Sequence, residues 1–331
     1  MEPLLIIPLI LSFLITLFFI PVWIKKAKQI KLVWEDMNKK NKTKKIAGSG
    51  GIVVVFGFIL GVLIYVALKT FYFNSTENLI EVFAILTSIL IISVVGLIDD
   101  LFGWQKGGLS KKSRIILFLF AAIPLIVINA GESRMIGIEF GLLYPLFLVP
   151  LGIIGASATY NFLAGYNGLE TSQGILILSS LSLITFLTGN SWLSLISLTM
   201  AICLIAFYIH NKYPAKIFPG DVLTYSIGAM IAIIAILGNI EKIVVFLFIP
   251  YILETILKVR GKLKKYSFAK LNKDGGLDVP YKKFYGLEHI SIYLLKKFKN
   301  KVYEKDVVYL INLFQILIII LAFILFGGEI F

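Results

Sequence analysis

Five oxygen-bearing side chains at the ends of apolar runs could bind a hard metal ion. They are the carboxylates Asp99, Asp100 and Asp221 and the carboxamides Asn161 and Asn167. Oxygen ligands of this kind suit Mg²⁺, or Mn²⁺, better than zinc. Zinc is further disfavoured because the chain has only two histidines and one cysteine.

Basic residues near these oxygen ligands could bind phosphate. Lys111, Lys112 and Arg114 follow the aspartate pair closely in the sequence, and cations of this kind hold phosphate oxygens. A metal ion, phosphate-binding cations and the lack of an evident nucleophile favour phosphoryl transfer, in which positioning and charge neutralisation supply most of the catalysis. The sequence has no Walker-type phosphate loop, so the phosphate donor need not be ATP.

The elements that carry these residues are long apolar segments. The chain has 331 residues, of which 58% are hydrophobic, and a mean hydropathy of +0.91. Apolar runs near the length that spans a bilayer recur from end to end. The sequence therefore predicts an all-α polytopic membrane protein, with residues 1–331 as a single integral membrane domain. The ten predicted spans are roughly 3–24, 46–68, 79–98, 115–130, 142–160, 174–187, 192–209, 222–237, 243–257 and 307–326.

The distribution of basic residues predicts the orientation of these spans. Of the 32 Lys and Arg residues, 29 fall in the odd-numbered loops between spans. Cytoplasmic loops carry such an excess, so both termini are expected outside the cell membrane. The predicted cytoplasmic loops are about 25–45, 99–114, 161–173, 210–221 and 258–306. The net charge of +13 is then explained by orientation, anionic head groups and phosphorylated substrates, without nucleic acid.

Each polar pattern also has a purely structural interpretation. Two adjacent aspartates can simply solvate a helix end, and Phe218-Pro219-Gly220-Asp221 can be a turn with Asp221 as the N-cap of span 8. The stretch from Asn161 to Glu170 can be a helix C-cap and turn that uses Gly165 and Gly168. The predicted topology places all three patterns on the cytoplasmic face. A transporter would instead place polar residues at mid-membrane, so an interfacial enzyme is favoured.

The motifs and their order resemble the polyprenyl-phosphate N-acetylhexosamine-1-phosphate transferases over the whole chain. Asp99-Asp100 is similar to the aspartate pair of that family, and Phe218–Asp221 to its Phe-x-Gly-Asp motif. The stretch Asn161-Phe-Leu-Ala-Gly-Tyr-Asn167-Gly-Leu-Glu170 resembles the eukaryotic and archaeal form of its asparagine motif. The segment Gly108-Leu-Ser-Lys-Lys-Ser-Arg114 is similar to its basic segment.

The resemblance implies residue roles around a metal ion and a nucleotide. Asn161 and Asp221 would hold Mg²⁺ on the pyrophosphate, Phe218 would stack on uracil, and Asn167 would hydrogen-bond it. Gly168 would let the backbone approach the nucleotide. Glu170 would orient the loop or cap the next span.

The resemblance also implies roles at the lipid phosphate. Asp99 and Asp100 would orient or deprotonate it or help to place the metal, and how they divide these tasks stays open. The cation on the phosphates is Lys111, Lys112 or Arg114. The polar residues Asp36, Asn38 and Lys39 would lie near both substrates. Lys265 lies where members of the family that use N-acetylglucosamine have an Arg- and His-rich motif, and His289 is expected at the surface.

The implied activity is the transfer of N-acetylglucosamine-1-phosphate from UDP-N-acetylglucosamine to a polyprenyl (dolichyl) phosphate with release of UMP. This reaction would begin an N-glycan or another surface glycan. The resemblance implies Mg²⁺ as cofactor, and membrane lipids and a second copy of the chain are expected partners. The alternatives are another UDP-N-acetyl sugar, or a transporter or flippase for polyprenyl-linked lipids. A CDP-alcohol phosphotransferase is disfavoured because its paired-aspartate motif has a different spacing.

Overall fold

The chain folds mainly into helices. The computed structural model describes residues 3–37, 39, 45–135 and 138–330. A 3₁₀ turn at Pro3–Leu5 precedes the first helix, and π-helical turns lie at Leu68–Tyr72 and Tyr144–Leu148. The helices are α1 (Ile6–Gln29), α2 (Gly51–Ala67), α3 (Leu79–Lys106), α4 (Lys111–Val127), α5 (Val149–Tyr160), α6 (Leu169–Leu187), α7 (Ser191–Asn211), α8 (Asp221–Gly238), α9 (Glu241–Leu247), α10 (Ile249–Arg260), α11 (Leu287–Leu295), α12 (Glu304–Leu325) and α13 (Gly327–Ile330).

Within the described ranges, three short antiparallel strand pairs add to the helices, where the sequence predicted only helices. They connect β1 (Val33–Glu35) with β2 (Lys45–Ala47), β3 (Arg134–Met135) with β4 (Ile138–Glu139), and β5 (Lys270–Leu271) with β6 (Leu277–Asp278). The first pair occupies residues that we assigned to a loop and to the start of span 2. As a result, α2 begins only at Gly51.

Among the described residues, seven helical segments are long and apolar enough to cross a membrane: α1, α2 together with the π-helical turn that follows it to Tyr72, α3, α6, α7, α8 and α12. The helical stretch Tyr144–Tyr160 is apolar but has at most 17 residues, and α4 also has 17. The predicted ninth span divides into α9 and α10 at Phe248, because Pro250 has no N–H to continue the helix. The chain is therefore a polytopic membrane protein, whereas ten spans and external termini stay predictions.

Helix α8 lies at the centre of the bundle and is buried on almost every side. It packs against α3 on one side and α5 on another. Glycines permit both approaches, because a Cβ at Gly96 would lie 2.5 Å from Val222 Cα, and one at Gly228 would lie 2.5 Å from Ala156 O. Close packing of α3 on the start of α8 brings the aspartate pair next to Asp221.

Helix α3 does not end at the aspartate pair, as the sequence suggested. It continues to Lys106, and Gly107 then ends it with a φ of +87°. Asp99 and Asp100 therefore project from a regular helix rather than from a loop. Similarly, α6 begins at Leu169, so the second half of the asparagine motif is already helical.

The last polar segment is folded around buried acidic groups. Glu254 of α10 accepts the Leu287 N–H at 2.6 Å and pairs with Lys258 at 3.5 Å. The expectation of a surface His289 is wrong, because its side chain is fully buried and its Nδ1 accepts the Tyr285 N–H at 3.2 Å. Burial, together with the Lys258 charge, lowers the pKa of His289 to about 4. This packing fixes the segment that reaches the cavity described below.

Candidate active site

A cavity of about 740 Å³ lies at the end of the bundle where α3 ends and α4, α6 and α8 begin. Each element contributes one of the motifs singled out above. The candidate residues that line the cavity are Asp36, Asp99, Asp100, Arg114, Asn161, Glu170, Phe218 and Asp221. The structure therefore brings together residues that are separated by up to 185 positions in the sequence.

Asp99 is held by hydrogen-bond donors on both oxygens. Its Oδ1 accepts the Leu109 N–H at 2.7 Å and Arg114 Nη2 at 3.1 Å. Its Oδ2 accepts Tyr225 Oη at 2.8 Å and lies 2.6 Å from Arg114 Nε. Asp99 is also buried. The hydrogen bond through Nη2 and the close charge contact through Nε hold the Arg114 guanidinium at the wall of the cavity.

Asp100 caps the N-terminus of α8. Its Oδ1 accepts the Asp221 N–H at 2.8 Å, and its Oδ2 lies 3.5 Å from the Val222 N–H. These are two of the N–H groups that have no partner within a helix, and a carboxylate there also complements the helix dipole. The alternative interpretation of Asp221 as the N-cap of span 8 is wrong, because Gly220 occupies that position and the capping carboxylate comes from α3.

Of the three aspartates, Asp221 accepts the fewest hydrogen bonds. Within the described part of the chain, its carboxylate accepts one hydrogen bond, from Tyr225 Oη at 3.2 Å. Thr224 lies beside it and donates its hydroxyl to Asn161 Oδ1 at 3.0 Å. Both the Asp221 carboxylate and the Asn161 carboxamide thus border the cavity and have oxygen lone pairs to offer.

A metal ion at this place would have few protein ligands. Among the described residues, no three Asp, Glu, His or Cys side chains are grouped so that they could hold one. Mg²⁺ is commonly bound by one or two carboxylates together with water and substrate phosphates. Asp221 and Asn161 fit that pattern.

The asparagine motif forms a loop between α5 and α6. Asn161 follows the last residue of α5, and Gly168 precedes α6 with a φ of +82°. Glu170 turns back from the first turn of α6, and its Oε1 accepts the Gly165 N–H at 2.6 Å. Glu170 therefore orients the loop, one of its two expected roles. Its Oε2 is buried and has no hydrogen-bond partner among the residues that the structure describes.

Asn167 lies behind the cavity wall, where it joins two distant parts of the chain. Its backbone N–H donates to Glu304 Oε1 at 2.7 Å. In the amide orientation that satisfies its neighbours, its Oδ1 accepts from Lys39 Nζ at 2.7 Å and from the Ala215 N–H at 3.3 Å. Asn167 and Gly168 are both buried and are not among the residues that line the cavity.

Lys39 connects the first polar loop to this network. Its Nζ lies 2.9 Å from Asp36 and 2.7 Å from Glu304, and 4.5 Å from the centroid of the Tyr213 ring. Burial alone would lower the pKa of Lys39, but the negative charges of Glu304 and Asp36 outweigh burial and raise its pKa. Lys39 is therefore a fixed cation that holds Asp36 at the cavity.

Phe218 lines the cavity from the turn before α8. Its N–H donates to Ala47 O at 2.7 Å, and its carbonyl accepts the Gly50 N–H at 2.9 Å. The Gly51 N–H donates in the same way to Pro219 O at 2.8 Å. The glycine-rich start of span 2 thus holds the Phe218–Asp221 turn in place.

Four other candidates lie away from the cavity or outside the described residues. Lys111 and Lys112 are exposed in the first turn of α4. Lys265 is exposed, with its Nζ 5.1 Å from the centroid of the Tyr281 ring. Asn38 lies outside the residues that the structure describes. Of the three candidate cations at the start of span 4, Arg114 is the one at the cavity.

Sequence reasoning missed three residues at or near the site. Tyr225 follows Asp221 by four residues, which is one helical turn, so helix periodicity could have indicated it. Phe268 lines the cavity from the last polar segment and packs so closely on Gly165 that a Cβ there would lie 2.9 Å from its ring. Phe268 lies three residues after Lys265, in the segment that takes the place of the family's Arg- and His-rich motif, so the resemblance indicated its neighbourhood but not the residue itself. Glu304 belongs to no motif, and no pattern in the sequence connects it with this site.

The wall of the cavity is strongly acidic. Within the described part of the chain, its lining has one cationic side chain, Arg114, and six carboxylates. A polyanion would be repelled from such a wall unless a cation entered with it. The six are Glu35, Asp36, Asp99, Asp100, Glu170 and Asp221.

The fold and the site define a polytopic membrane protein with an acidic cavity at one end of its helix bundle. Comparison with known proteins identifies the family. Residues 82–239 match the model of glycosyl transferase family 4. The chain belongs to this family, as the resemblance of its motifs predicted, and is a phosphosugar transferase.

Three proteins with similar sequences come from two archaea and a eukaryote. A protein of Saccharolobus solfataricus is 38% identical over 82% of this chain and 83% of its own length. One of Sulfolobus acidocaldarius is 32% identical over 96% of this chain and 94% of its own. A third, of Dictyostelium discoideum, is 30% identical over 74% and 69%. The Dictyostelium protein is named UDP-N-acetylglucosamine–dolichyl-phosphate N-acetylglucosaminephosphotransferase, and the two archaeal proteins carry that name as a provisional assignment.

Proposed function

We propose that this protein transfers N-acetylglucosamine-1-phosphate from UDP-N-acetylglucosamine to a dolichyl or related polyprenyl phosphate and releases UMP. The observation that carries the proposal is one cavity bordered by Arg114, Asn161 and Asp221. The names of the three relatives support the choice of sugar and lipid. The product would begin an N-glycan or another surface glycan.

The reaction needs an attacking oxygen and a leaving phosphate. An oxygen of the lipid phosphate forms a bond to the β-phosphorus of the UDP-sugar, and the bond from that phosphorus to the bridging oxygen breaks. UMP leaves with the electron pair. A phosphate monoester is already mostly ionised near neutral pH, so no base is required to make the nucleophile.

Arg114 is suited to the charge that develops during this step. Its guanidinium is held by Asp99, so it is pre-oriented before substrate arrives, and fixed cations of this kind stabilise a transferring phosphoryl group. Because Asp99 already receives hydrogen bonds on both oxygens, its role is to orient Arg114 rather than to take a proton.

Asp221 and Asn161 would hold the metal ion. When bound, Mg²⁺, or Mn²⁺, supplies the positive charge that an acidic cavity needs to admit a pyrophosphate. Asp100 would act on the metal ion only indirectly, because it fixes the turn on which Asp221 lies.

The uridine would lie against Phe218. Asn167 lies behind the cavity wall, so it would act on the nucleotide through Lys39, which holds Asp36 at the cavity. The hydrogen bonds of Asn167 to Lys39 and Glu304 keep that residue in one orientation. Glu170 and Gly165 shape the loop between the two asparagines, and Phe268 closes it from outside. Pockets lined by aromatic side chains and a few fixed polar groups are a common way to hold a small ligand.

The proposed topology has ten spans, both termini outside, and the cavity on the cytoplasmic face. The seven long helices are joined by Tyr144–Tyr160, α4 and the α9–α10 pair as the remaining three. The excess of basic residues in the loops at the cavity end supports a cytoplasmic position. UDP-sugars are then available to the site from the cytoplasm.

The test is release of UMP by the purified protein from UDP-sugars in the presence of a short polyprenyl phosphate. UDP-N-acetylglucosamine, UDP-N-acetylgalactosamine and UDP-glucose are compared, each with Mg²⁺ and with excess EDTA. We expect lipid-dependent UMP release that is highest with UDP-N-acetylglucosamine and absent in EDTA. Equal rates without the lipid, or full activity in EDTA, would contradict the proposal.

A further inference from the structure

Tyr225 lies between two of the site's aspartates. It is one helical turn after Asp221 in α8 and is 1% exposed. Its Oη is 2.8 Å from Asp99 Oδ2 and 3.2 Å from Asp221 Oδ2. Its ring packs edge-on against Phe118, with the centroids 4.7 Å apart. Tyr225 is not among the residues that line the cavity, so it acts on the site through its two neighbours.

The hydroxyl has one proton to share between two acceptors. Asp99 has other donors, because Arg114 and the Leu109 N–H also bind it. Asp221 has no other donor to its carboxylate in the described ranges. The orientation of the Asp221 carboxylate in the free protein therefore depends on this one hydroxyl, which takes Oδ2 and leaves Oδ1 without a partner.

The hydroxyl also separates like charges. Without it, an oxygen of Asp99 and an oxygen of Asp221 would face each other across a buried gap with no donor between them. Such oxygens repel each other, and Asp221 would turn away because Asp99 is fixed by Arg114. The same hydroxyl thus joins the Asp99–Arg114 pair to the carboxylate that borders the cavity.

We infer that Tyr225 is a positioning residue that holds the Asp221 carboxylate in the orientation required to bind a divalent cation. Because its hydroxyl also contacts Asp99, the partner of Arg114, it fixes the position of this cation relative to the Arg114 guanidinium. The inference rests on the proposed function for the identity of the reaction, but it concerns metal binding by the protein itself. It can therefore be tested without substrate.

The experiment compares Tyr225→Phe with wild type and with Tyr251→Phe. Phenylalanine keeps the ring against Phe118 and removes only the oxygen. Tyr251 is a matched control, because it is also fully buried, and its Oη lies 3.5 Å from Gln173 rather than at the cavity. Binding of Mn²⁺ to the substrate-free protein is measured by electron paramagnetic resonance, and the Mg²⁺ dependence of UMP release is measured separately.

Loss of a hydrogen bond to a charged group should weaken Mn²⁺ binding by about tenfold in Tyr225→Phe. The Mg²⁺ concentration for half-maximal rate should rise by a similar factor, and the thermal midpoint should change little. Tyr251→Phe should bind Mn²⁺ as wild type does. Wild-type Mn²⁺ affinity in Tyr225→Phe would overturn the inference, and so would weaker binding that merely follows a large loss of thermal stability. Failure of the wild type to release UMP would instead count against the proposed function, while the Mn²⁺ comparison would still decide the role of Tyr225.

Discussion

Asp100 Oδ1 accepts the backbone N–H of Asp221 at 2.8 Å, so one aspartate of the adjacent pair holds the turn that presents the third aspartate. Its neighbour Asp99 faces a different partner and pairs with Arg114. Adjacent residues of a helix point about 100° apart, which lets the pair serve two separate elements. The three carboxylates therefore differ in role. Asp99 orients the Arg114 side chain, Asp100 caps α8, and Asp221 borders the cavity with one oxygen that accepts no hydrogen bond from the described residues.

If Asp100 acts as a cap, its replacements should differ in a graded way. Asp100→Asn keeps one oxygen that can accept the Asp221 N–H and should retain part of the activity. Asp100→Ala removes the cap, which costs about 1 kcal/mol of stability, and should lower both the thermal midpoint and the rate. Thermal unfolding and UMP release are measured on the same samples. Equal loss of activity in both variants with no loss of stability would indicate a direct role in the chemistry.

The cation at the phosphates should be Arg114. Arg114→Ala is expected to lower the rate of UMP release by about 10²-fold, as removal of a fixed electrostatic donor does. Arg114→Lys should recover little, because the single ammonium group of lysine cannot reproduce the planar guanidinium that Asp99 holds at the cavity. Lys111→Ala and Lys112→Ala are the controls and should stay within about twofold of wild type, since surface charges contribute little. A loss in Lys111→Ala as large as that in Arg114→Ala would contradict this assignment.

Glu304 should affect the binding of nucleotide more than the chemical step. It accepts the Asn167 N–H at 2.7 Å and pairs with Lys39 at 2.7 Å. Glu304→Gln keeps an acceptor but removes the charge, so Asn167 and Lys39 should lose their fixed positions. We expect the KM for the UDP-sugar to rise about tenfold with a smaller change in kcat.

The control for Glu304 is Glu329→Gln, which changes an exposed ion pair with Lys242 at the opposite end of the bundle. Steady-state kinetics with varied UDP-sugar should leave this variant unchanged. A Glu304→Gln enzyme with wild-type KM and a lowered kcat would show that the network does not serve the nucleotide.

Much of the site could be predicted because its residues stand in compact motifs at the ends of apolar runs. Asp99, Arg114, Asn161 and Asp221 are each visible in this way, and the asymmetry of basic loops predicted that they share one face. The sequence could not show which carboxylate oxygens of the three aspartates already accept hydrogen bonds and which are available to a ligand. That depends on distances between helices, such as the contact of Asp100 with the start of α8.

Contacts between parts of the chain that are distant in sequence could not be predicted either. Glu304 lies 137 residues after Asn167, and nothing in the residues near Glu304 marks it as part of a site. His289 resembles a surface residue in a basic segment, yet it is buried beside Glu254 and Lys258. The helical spans were easier to predict than their ends, because hydropathy reports burial in lipid, whereas α3 ends where Gly107 allows a left-handed turn.

The most direct test of the account is Mg²⁺-dependent UMP release by Asp221→Ala, with Asp274→Ala as a matched control. Asp274 is exposed on the last polar segment. Both variants are purified in the same detergent and assayed with UDP-N-acetylglucosamine and a short polyprenyl phosphate over a range of Mg²⁺. We expect Asp274→Ala to match wild type, whereas Asp221→Ala should fold normally and show no Mg²⁺-dependent turnover. Full turnover by Asp221→Ala would contradict this account.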